Sequence, residues 1–408
     1  MKKILVTLVL LFSILGFAQQ GKIYPKNKKI KQGEINIYIY EPPVGLEIPE
    51  GAWALGQSDY INLVSSPLVK KDKHYEFMMK FPKSDNLFLV KIIDPKVNTI
   101  DHNDGNGYTI VLNNKLSKDE VFLTEADLSF FSAHHLGEEK RMEKQFGRYK
   151  QIMNSGSKQK EAAYFSYLYN SYFKNPESFK AEVLKYIETI KNKKDEKSLN
   201  QFMSIYNALG MEDEAKEVKK IIIEKNPKGQ QAKYSFWETF NQIPNKTEEI
   251  ILNKEKEYKS IFTDYTEDDL FSFKYSLLEI YLKEKNIEKL TAIENHPIYK
   301  KNIVNQYNNY AWELSGQDLT HPGTDLDFAE RLSKKTLEIV KYQMENPDYE
   351  SYSMCLNGTY NMFADTYALI LYKQKRYQEA FDYQHQIALQ DELDTGGKER
   401  YAGFAEKA

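Results

Sequence analysis

The sequence predicts an α+β multidomain protein, an N-terminal antiparallel β-sandwich followed by an irregular array of paired α-helices. Three observations predict it. Short runs of β-formers, parted by Gly, Pro and Asn, occupy the chain up to about residue 135. Beyond that point Lys, Glu, Leu, Ile, Ala and Tyr dominate, and apolar positions recur every three or four residues. The helical segments then pair, with small residues where two helices must cross.

The chain opens MKKILVTLVLLFSILGFAQQ. Lys2 and Lys3 precede an apolar run from Ile4 to Leu15, and Gly16-Phe17-Ala18 sets small residues at a cleavage position. Residues 1–18 thus read as a secretory signal, too short and wrongly flanked for a membrane span. Cleavage is expected near Ala18, which makes the mature chain periplasmic or secreted. No Cys follows the apolar run, so no lipid anchor is expected there. Loss of Lys2 and Lys3 turns 56 basic and 59 acidic side chains into 54 − 59 = −5. A mildly acidic chain offers no field for nucleic acid or an anionic membrane, and neither partner is expected.

The sandwich is expected over residues 22–132. Its strand runs are EINIYIY (34–40), DYINLV (59–64), HYEFMMKF (74–81), LFLVKII (87–93) and GYTIVL (107–112). Pro42-Pro43-Val44-Gly45, Pro82 to Asn86 and Asp104 to Gly107 supply the turns. The Lys-rich stretch from Gly21 to Gln32 reads as a flexible lead-in or an edge strand. Asp101-His102-Asn103-Asp104-Gly105-Asn106-Gly107 is oxygen-rich, as Ca²⁺ loops are. Gly105 stands where an EF-hand needs an oxygen, however, and no Glu closes the loop, so a tight turn is expected.

Helices are expected over 136–395, with a tail at 396–408 after a break at Gly396-Gly397. In SKQKEAAYFSYLYNSYFKNP, Ala163, Tyr167 and Phe173 fall near one face, and Asn175-Pro176 stops the helix. Within 364–384, Ala368 and Ala380 sit on either side of a turn at Lys375-Arg376-Tyr377. This hairpin resembles a tetratricopeptide repeat. LNQFMSIYNALGMEDEAKEVKKIIIEKNP matches better, with Tyr206, Gly210, Ala215 and Pro227 at the repeat's aromatic, turn, small-residue and proline positions. A third unit offers Trp312 and Ala329 but carries an insertion at its turn. The alanines at 215, 329 and 380 lie 114 and 51 residues apart, which no 34-residue period explains. The array is therefore a tetratricopeptide-like α-helical array without a regular period.

Chemistry-bearing residues are few. Cys355 is the single cysteine, so no disulfide or C-x-x-C pair forms within the chain. It reads as a buried, inert thiol, the alternative being a reactive one beside a cation or helix N-terminus. His134-His135 with Glu138-Glu139 set nitrogen and oxygen donors within a helical turn, as a metal site or an unrecognised hydrolase would need. Without an H-E-x-x-H pattern they read as a helix start or domain junction. No G-x-S-x-G, phosphate loop or dinucleotide fingerprint occurs, and no catalytic residue, metal or cofactor is expected. The aromatic excess is the remaining signal. Core packing accounts for most of it. Tyr164, Tyr167, Tyr172, Tyr275, Tyr281, Trp312 and Tyr367 are the candidates for a groove that binds a protein or peptide partner.

The order of signal, β-domain and irregular helical repeats resembles the N-terminal part of exported thioredoxin-like thiol-disulfide reductases of Gram-negative bacteria. It is also similar to shorter tetratricopeptide-containing relatives. Asn103-Asp104-Gly105-Asn106-Gly107-Tyr108, Asn308-Asn309-Tyr310-Ala311-Trp312 and Ala364-Asp365-Thr366-Tyr367-Ala368 carry the resemblance. In that family a C-terminal thioredoxin domain with a C-x-x-C does the redox work. This chain stops where that domain would begin, and Cys355 does not match the motif, so no catalytic residue carries over. The resemblance implies a thioredoxin-fold protein as one partner. The expected function is a non-enzymatic exported scaffold, the alternative being a component of an envelope thiol-disulfide system without its own C-x-x-C.

Overall fold

The computed structural model describes residues 20–58, 63–190, 195–296, 303–351, 353, 356–390 and 393–408. The expected signal at 1–18 and Cys355 lie outside the described residues. The chain forms two compact units: Met1–Lys193 with Pro347–Met354, and Lys194–Asn346 with Cys355–Ala408.

In the first unit, nine antiparallel strands are described: β1 (Lys22–Pro25), β2 (Asn36–Glu41), β3 (Trp53–Gln57), β4 (Leu63–Pro67), β5 (Val69–Lys70), β6 (Tyr75–Met79), β7 (Leu87–Ile93), β8 (Thr99–Asp101) and β9 (Tyr108–Val111). One sheet runs β1-β2-β6-β5. The other runs β4-β3-β7-β8, with β9 also on β7. Period-two alternation turns Tyr38 and Tyr40 of β2, and Phe77 and Met79 of β6, inward against Phe88, Val90 and Ile92 of β7. Tyr38 pairs with Phe77 in register, and their rings stack at 5.4 Å. The lead-in before Gln32 contributes β1 as an edge strand.

Strand β3 lies outside the expected strand runs, its Ala54 and Gly56 being poor β-formers; packing selects Gly56, because a Cβ there would meet the Met79 sulfur at 2.9 Å. The run DYINLV overlaps β4 only at Leu63 and Val64, its first four residues lying outside the described set.

Helices start earlier than residue 136. Helix α1 (Lys118–Asp127) is opened by a capping box, Ser117 Oγ accepting from the Glu120 N–H while Glu120 reaches back to the Ser117 N–H. With α2 (Ser129–Ala133) it covers the outer face of the second sheet, where Leu128 and Phe131 pack on Leu55, Leu87, Leu89 and Ile93. That cover buries both faces of β7, which is why LFLVKII is apolar at every position but Lys91. A 3₁₀ turn (His134–Leu136) leads into α3 (Glu138–Met153), α4 (Lys160–Lys174) and α5 (Pro176–Ile190). Asn175 ends α4 as expected, and Pro176 takes the first position of α5. Phe173 does not share the buried face of Ala163 and Leu168; it is 58% exposed. The segment Pro347–Met354 completes this unit. Ser351 O accepts from the Ser65 N–H at 3.2 Å, Tyr349 O accepts from the Lys80 N–H at 2.7 Å, and the Ser353 N–H donates to Ser65 Oγ at 2.9 Å.

The second unit is helical throughout its described elements: α6 (Glu196–Ala208), α7 (Glu212–Lys225), α8 (Gln230–Asn241), α9 (Glu248–Ile261), α10 (Phe271–Lys283), α11 (Ile287–Glu294), α12 (Val304–Ser315), α13 (Leu326–Glu345), α14 (Leu356–Lys373), α15 (Tyr377–Ala388) and α16 (Thr395–Ala405). Three hairpins, α6–α7, α10–α11 and α14–α15, share one turn. Each closes with a bond that reaches back five residues: Met211 N–H to Tyr206 O, Asn286 N–H to Tyr281 O, and Arg376 N–H to Leu371 O, at 2.8, 2.9 and 2.9 Å. The left-handed residue before each donor is Gly210, Lys285 or Lys375, with φ of +69°, +53° and +64°. Five residues further on, Ala215, Leu290 and Ala380 are buried against the preceding helix. The insertion expected beside Trp312 is the link between α12 and α13, where Thr324 N–H returns to Leu314 O at 2.7 Å. Helix α16 runs through Gly396-Gly397 where a break was expected, because Asp394 caps it by accepting from the Gly397 N–H at 2.6 Å.

Lys375 is exposed and holds an unfavourable left-handed φ. Lys375→Gly is expected to stabilise the protein by about 1 kcal/mol, the backbone relief outweighing glycine's extra unfolded-state entropy. The shift of the urea midpoint at constant slope checks it.

Candidate functional site: a groove across three helices

The seven aromatics named from the sequence divide between the units. Tyr164, Tyr167 and Tyr172 lie on α4. Tyr164 meets Tyr186 of α5 edge-on at 5.4 Å, Tyr167 meets Phe146 of α3 at 5.4 Å, and Tyr172 sits beside Phe173 at 6.0 Å. The other four are spread over α10, α12 and α14. Tyr281 is buried, its hydroxyl donating to Glu248 at 2.8 Å and the Lys289 ammonium standing 5.0 Å over its ring. Burial, then the hydrogen bond to Glu248, pushes that phenol well above its ordinary range. Tyr367 is buried too. Its hydroxyl donates to Glu330 at 3.2 Å, and burial and the nearby carboxylate push it up to about 12. Trp312 is half-buried beneath the Arg400 guanidinium at 5.2 Å, and Tyr275 tilts against Phe271 at 6.1 Å. Two of the seven, Tyr281 and Tyr367, are core residues.

A groove of about 670 Å³ lies instead across α6, α7 and α8. Helix α6 contributes Met203 and Asn207, one turn apart, and the Gly210 turn follows its C-terminus. Helix α7 presents Glu212, Ala215, Lys216 and Lys219, and α8 presents Gln231, Tyr234, Trp237, Glu238 and Asn241. These spacings of three, four and seven place one face of each helix on the groove. The Gly210 turn and the small Ala215 bring α6 and α7 close enough to share a floor. Trp237 is fixed from behind, its ring centroid 4.4 Å from that of Phe273, 5.2 Å from Tyr258 and 5.6 Å from Phe240. Tyr234, one turn before it, is 51% exposed.

Charge in the groove is balanced locally. Lys219 pairs with Glu238 at 2.5 Å across α7 and α8, and Lys216 lies 3.6 Å from Glu212 and 3.7 Å from Asp213. Asn207, Gln231 and Asn241 add amides able both to donate to and accept from a peptide backbone. The arrangement combines a rigid aromatic anchor, an exposed aromatic and a polar rim, the composition of a peptide-recognition surface. Sequence reasoning missed Tyr234 and Trp237 by following local aromatic density. The α6–α7 unit was nonetheless the best repeat match, and carrying it one helix further reaches both residues.

Elsewhere, the 101–107 segment makes the expected tight turn. Its Asp101 is turned inward, accepting from the Tyr40 hydroxyl at 2.5 Å and the Tyr108 hydroxyl at 2.7 Å. His134 and His135 occupy the 3₁₀ turn just before α3, with Glu138 and Glu139 in that helix's first turn. Among the described residues, no three His, Cys, Asp or Glu side chains gather as they would around a metal ion. No described helix is long and apolar enough to cross a membrane. No model of a known protein family matches the chain, and no curated protein matches it.

Proposed function

We propose that the chain is an exported, non-enzymatic binding protein, periplasmic or secreted, that takes an extended segment of a partner protein into the groove of α6, α7 and α8. The observation that carries this reading is the pairing of an anchored Trp237 with a half-exposed Tyr234 along one face, between amides and compensated charges. An aromatic held from behind loses little side-chain entropy when a ligand packs on it, so its contact area converts efficiently into affinity. The amides serve the ligand's main chain, which gives affinity for extended peptides, and side-chain fit gives selectivity.

Tyr234→Ala tests it. A displayed peptide library is selected on the full chain, and the best binder is titrated against both proteins by fluorescence anisotropy. Tyr234→Ala is expected to weaken binding by about tenfold or more while leaving the melting temperature unchanged, since the ring is half in solvent. Binding that survives both Tyr234→Ala and Trp237→Phe would remove the groove from the account.

A further inference from the structure

Where the turn of residues 101–107 meets segment 129–136, two histidines are stacked. The rings of His102 and His135 lie 3.5 Å apart at 29°. His102 Nδ1 accepts from the Gly105 N–H at 2.7 Å, so its own proton sits on Nε2. Both nitrogens of His135 are buried and unpartnered. The seam is tight on either side: a Cβ at Gly105 would lie 2.6 Å from Leu136, and one at Gly107 would lie 3.2 Å from Ser132. The turn is also wound against its preference. Asn103, Asp104 and Gly105 have φ of +50°, +53° and +77° in succession. Side-chain-bearing residues rarely hold such a run unless their surroundings enforce it.

We propose that the His102–His135 stack is an acid-released latch, closed while both rings are neutral and opened when His135 takes a proton, freeing the 101–107 turn from segment 129–136. The charged groups around it favour that behaviour. Lys91 of β7, Lys144 of α3 and neighbouring His134 all oppose a positive charge on His135, as does His102 itself. The two carboxylates nearby, Asp101 and Asp104, belong to the turn and act on His102. A proton on His135 inside the closed seam therefore meets cations, and its nitrogens meet no acceptor. Once the seam opens, water solvates the imidazolium and the left-handed residues relax.

The sign follows from these surroundings. Burial first, then the neighbouring positive groups, lowers the His135 ring from 6.5 to about 4 when the seam is closed. The open form titrates near its ordinary value, so the open form binds more protons between those limits. Closure is thus fully favoured above about pH 6.5 and is lost progressively as pH falls toward about 4.

Hydrogen exchange of the full chain at about pH 7 and about pH 4.5, corrected for intrinsic rates, reads the latch directly. Opening of peptides covering 102–107 and 129–136 is expected to rise about tenfold on acidification relative to β7, with allowance for the ring's partial solvent contact. His135→Phe keeps a ring in the stack and is expected to abolish that rise. In the unmodified chain, the imidazole NMR titration of His135 should have its midpoint below 6.5 and no lower than about 4, because protonation draws the ring toward the open form. An equal acid response in His135→Phe, or a His135 midpoint at the ordinary 6.5, would overturn the proposal.

Discussion

Asp101→Ala is expected to destabilise the first unit by about 4 kcal/mol, one of the two largest effects of any single change considered for this protein. The carboxylate is 6% exposed, and one of its oxygens accepts from both Tyr40 and Tyr108, themselves 0% and 6% exposed. Those tyrosines come from opposite sheets, so the bond pair ties the sandwich across its core. The other oxygen accepts from the Asn103 N–H at 3.1 Å and shapes the left-handed turn. Alanine removes two charge-assisted bonds and strands two phenolic donors away from water, at roughly 1.5–3 kcal/mol each. Tyr40→Phe removes one donor and leaves the carboxylate its second partner, so about 1 kcal/mol is expected. Urea unfolding of both variants and of the double variant makes the cycle. If Asp101→Ala cost no more than Tyr40→Phe, the shared acceptor would have no structural weight.

Glu294→Ala is the second. Glu294 closes α11 and is 6% exposed, an unfavourable place for an anion at a helix C-terminus. Its neighbours explain its presence. Arg331 of α13 donates to Oε1 at 2.9 Å, the Tyr307 hydroxyl of α12 donates to the same oxygen at 2.8 Å, and Lys335 stands 3.8 Å from Oε2. One carboxylate thus joins three successive helices. Burial, then the Glu294 charge, drives the Tyr307 phenol far above its ordinary range, so the hydroxyl stays protonated and donating. Removing the acid leaves Arg331 without its ion pair and Tyr307 without an acceptor, at a cost of about 3–5 kcal/mol. Glu294→Gln keeps an acceptor and the volume, and is expected to cost about half as much. Thermal unfolding resolves the two; an equal loss would point to packing rather than charge.

Legibility in the sequence followed how local each cause is. Strand β2 alternates and β7 is apolar except at Lys91, and both patterns survive in any window. Strand β3 was hidden because Gly56 is there for Met79 and Phe81, which lie over 20 residues away in sequence. Helix α1 was announced by Ser117 and Glu120, a signal outweighed by the β-rich stretch before it. Gly210 marked its turn plainly, whereas Lys285 and Lys375 make the same turn with residues that carry no such mark. For the groove, local aromatic density pointed to α4 and α10. Exposure is settled by what packs behind a ring, and the ring behind Trp237 belongs to Phe273.

The segment Pro347–Met354 has a consequence in time. Ser353 bonds Ser65 across 288 residues of chain, so the edge of β4 stays open until the segment has been made. At roughly 5–20 residues per second, that wait during synthesis is about 15–60 s. Through that interval the first unit presents an unpaired strand edge, the kind of surface on which nascent chains misassociate. Under the proposed export, the chain would cross unfolded, and its two ends would then reach the same compartment almost together. Export would thereby convert a hazardous delay into a nearly simultaneous closure.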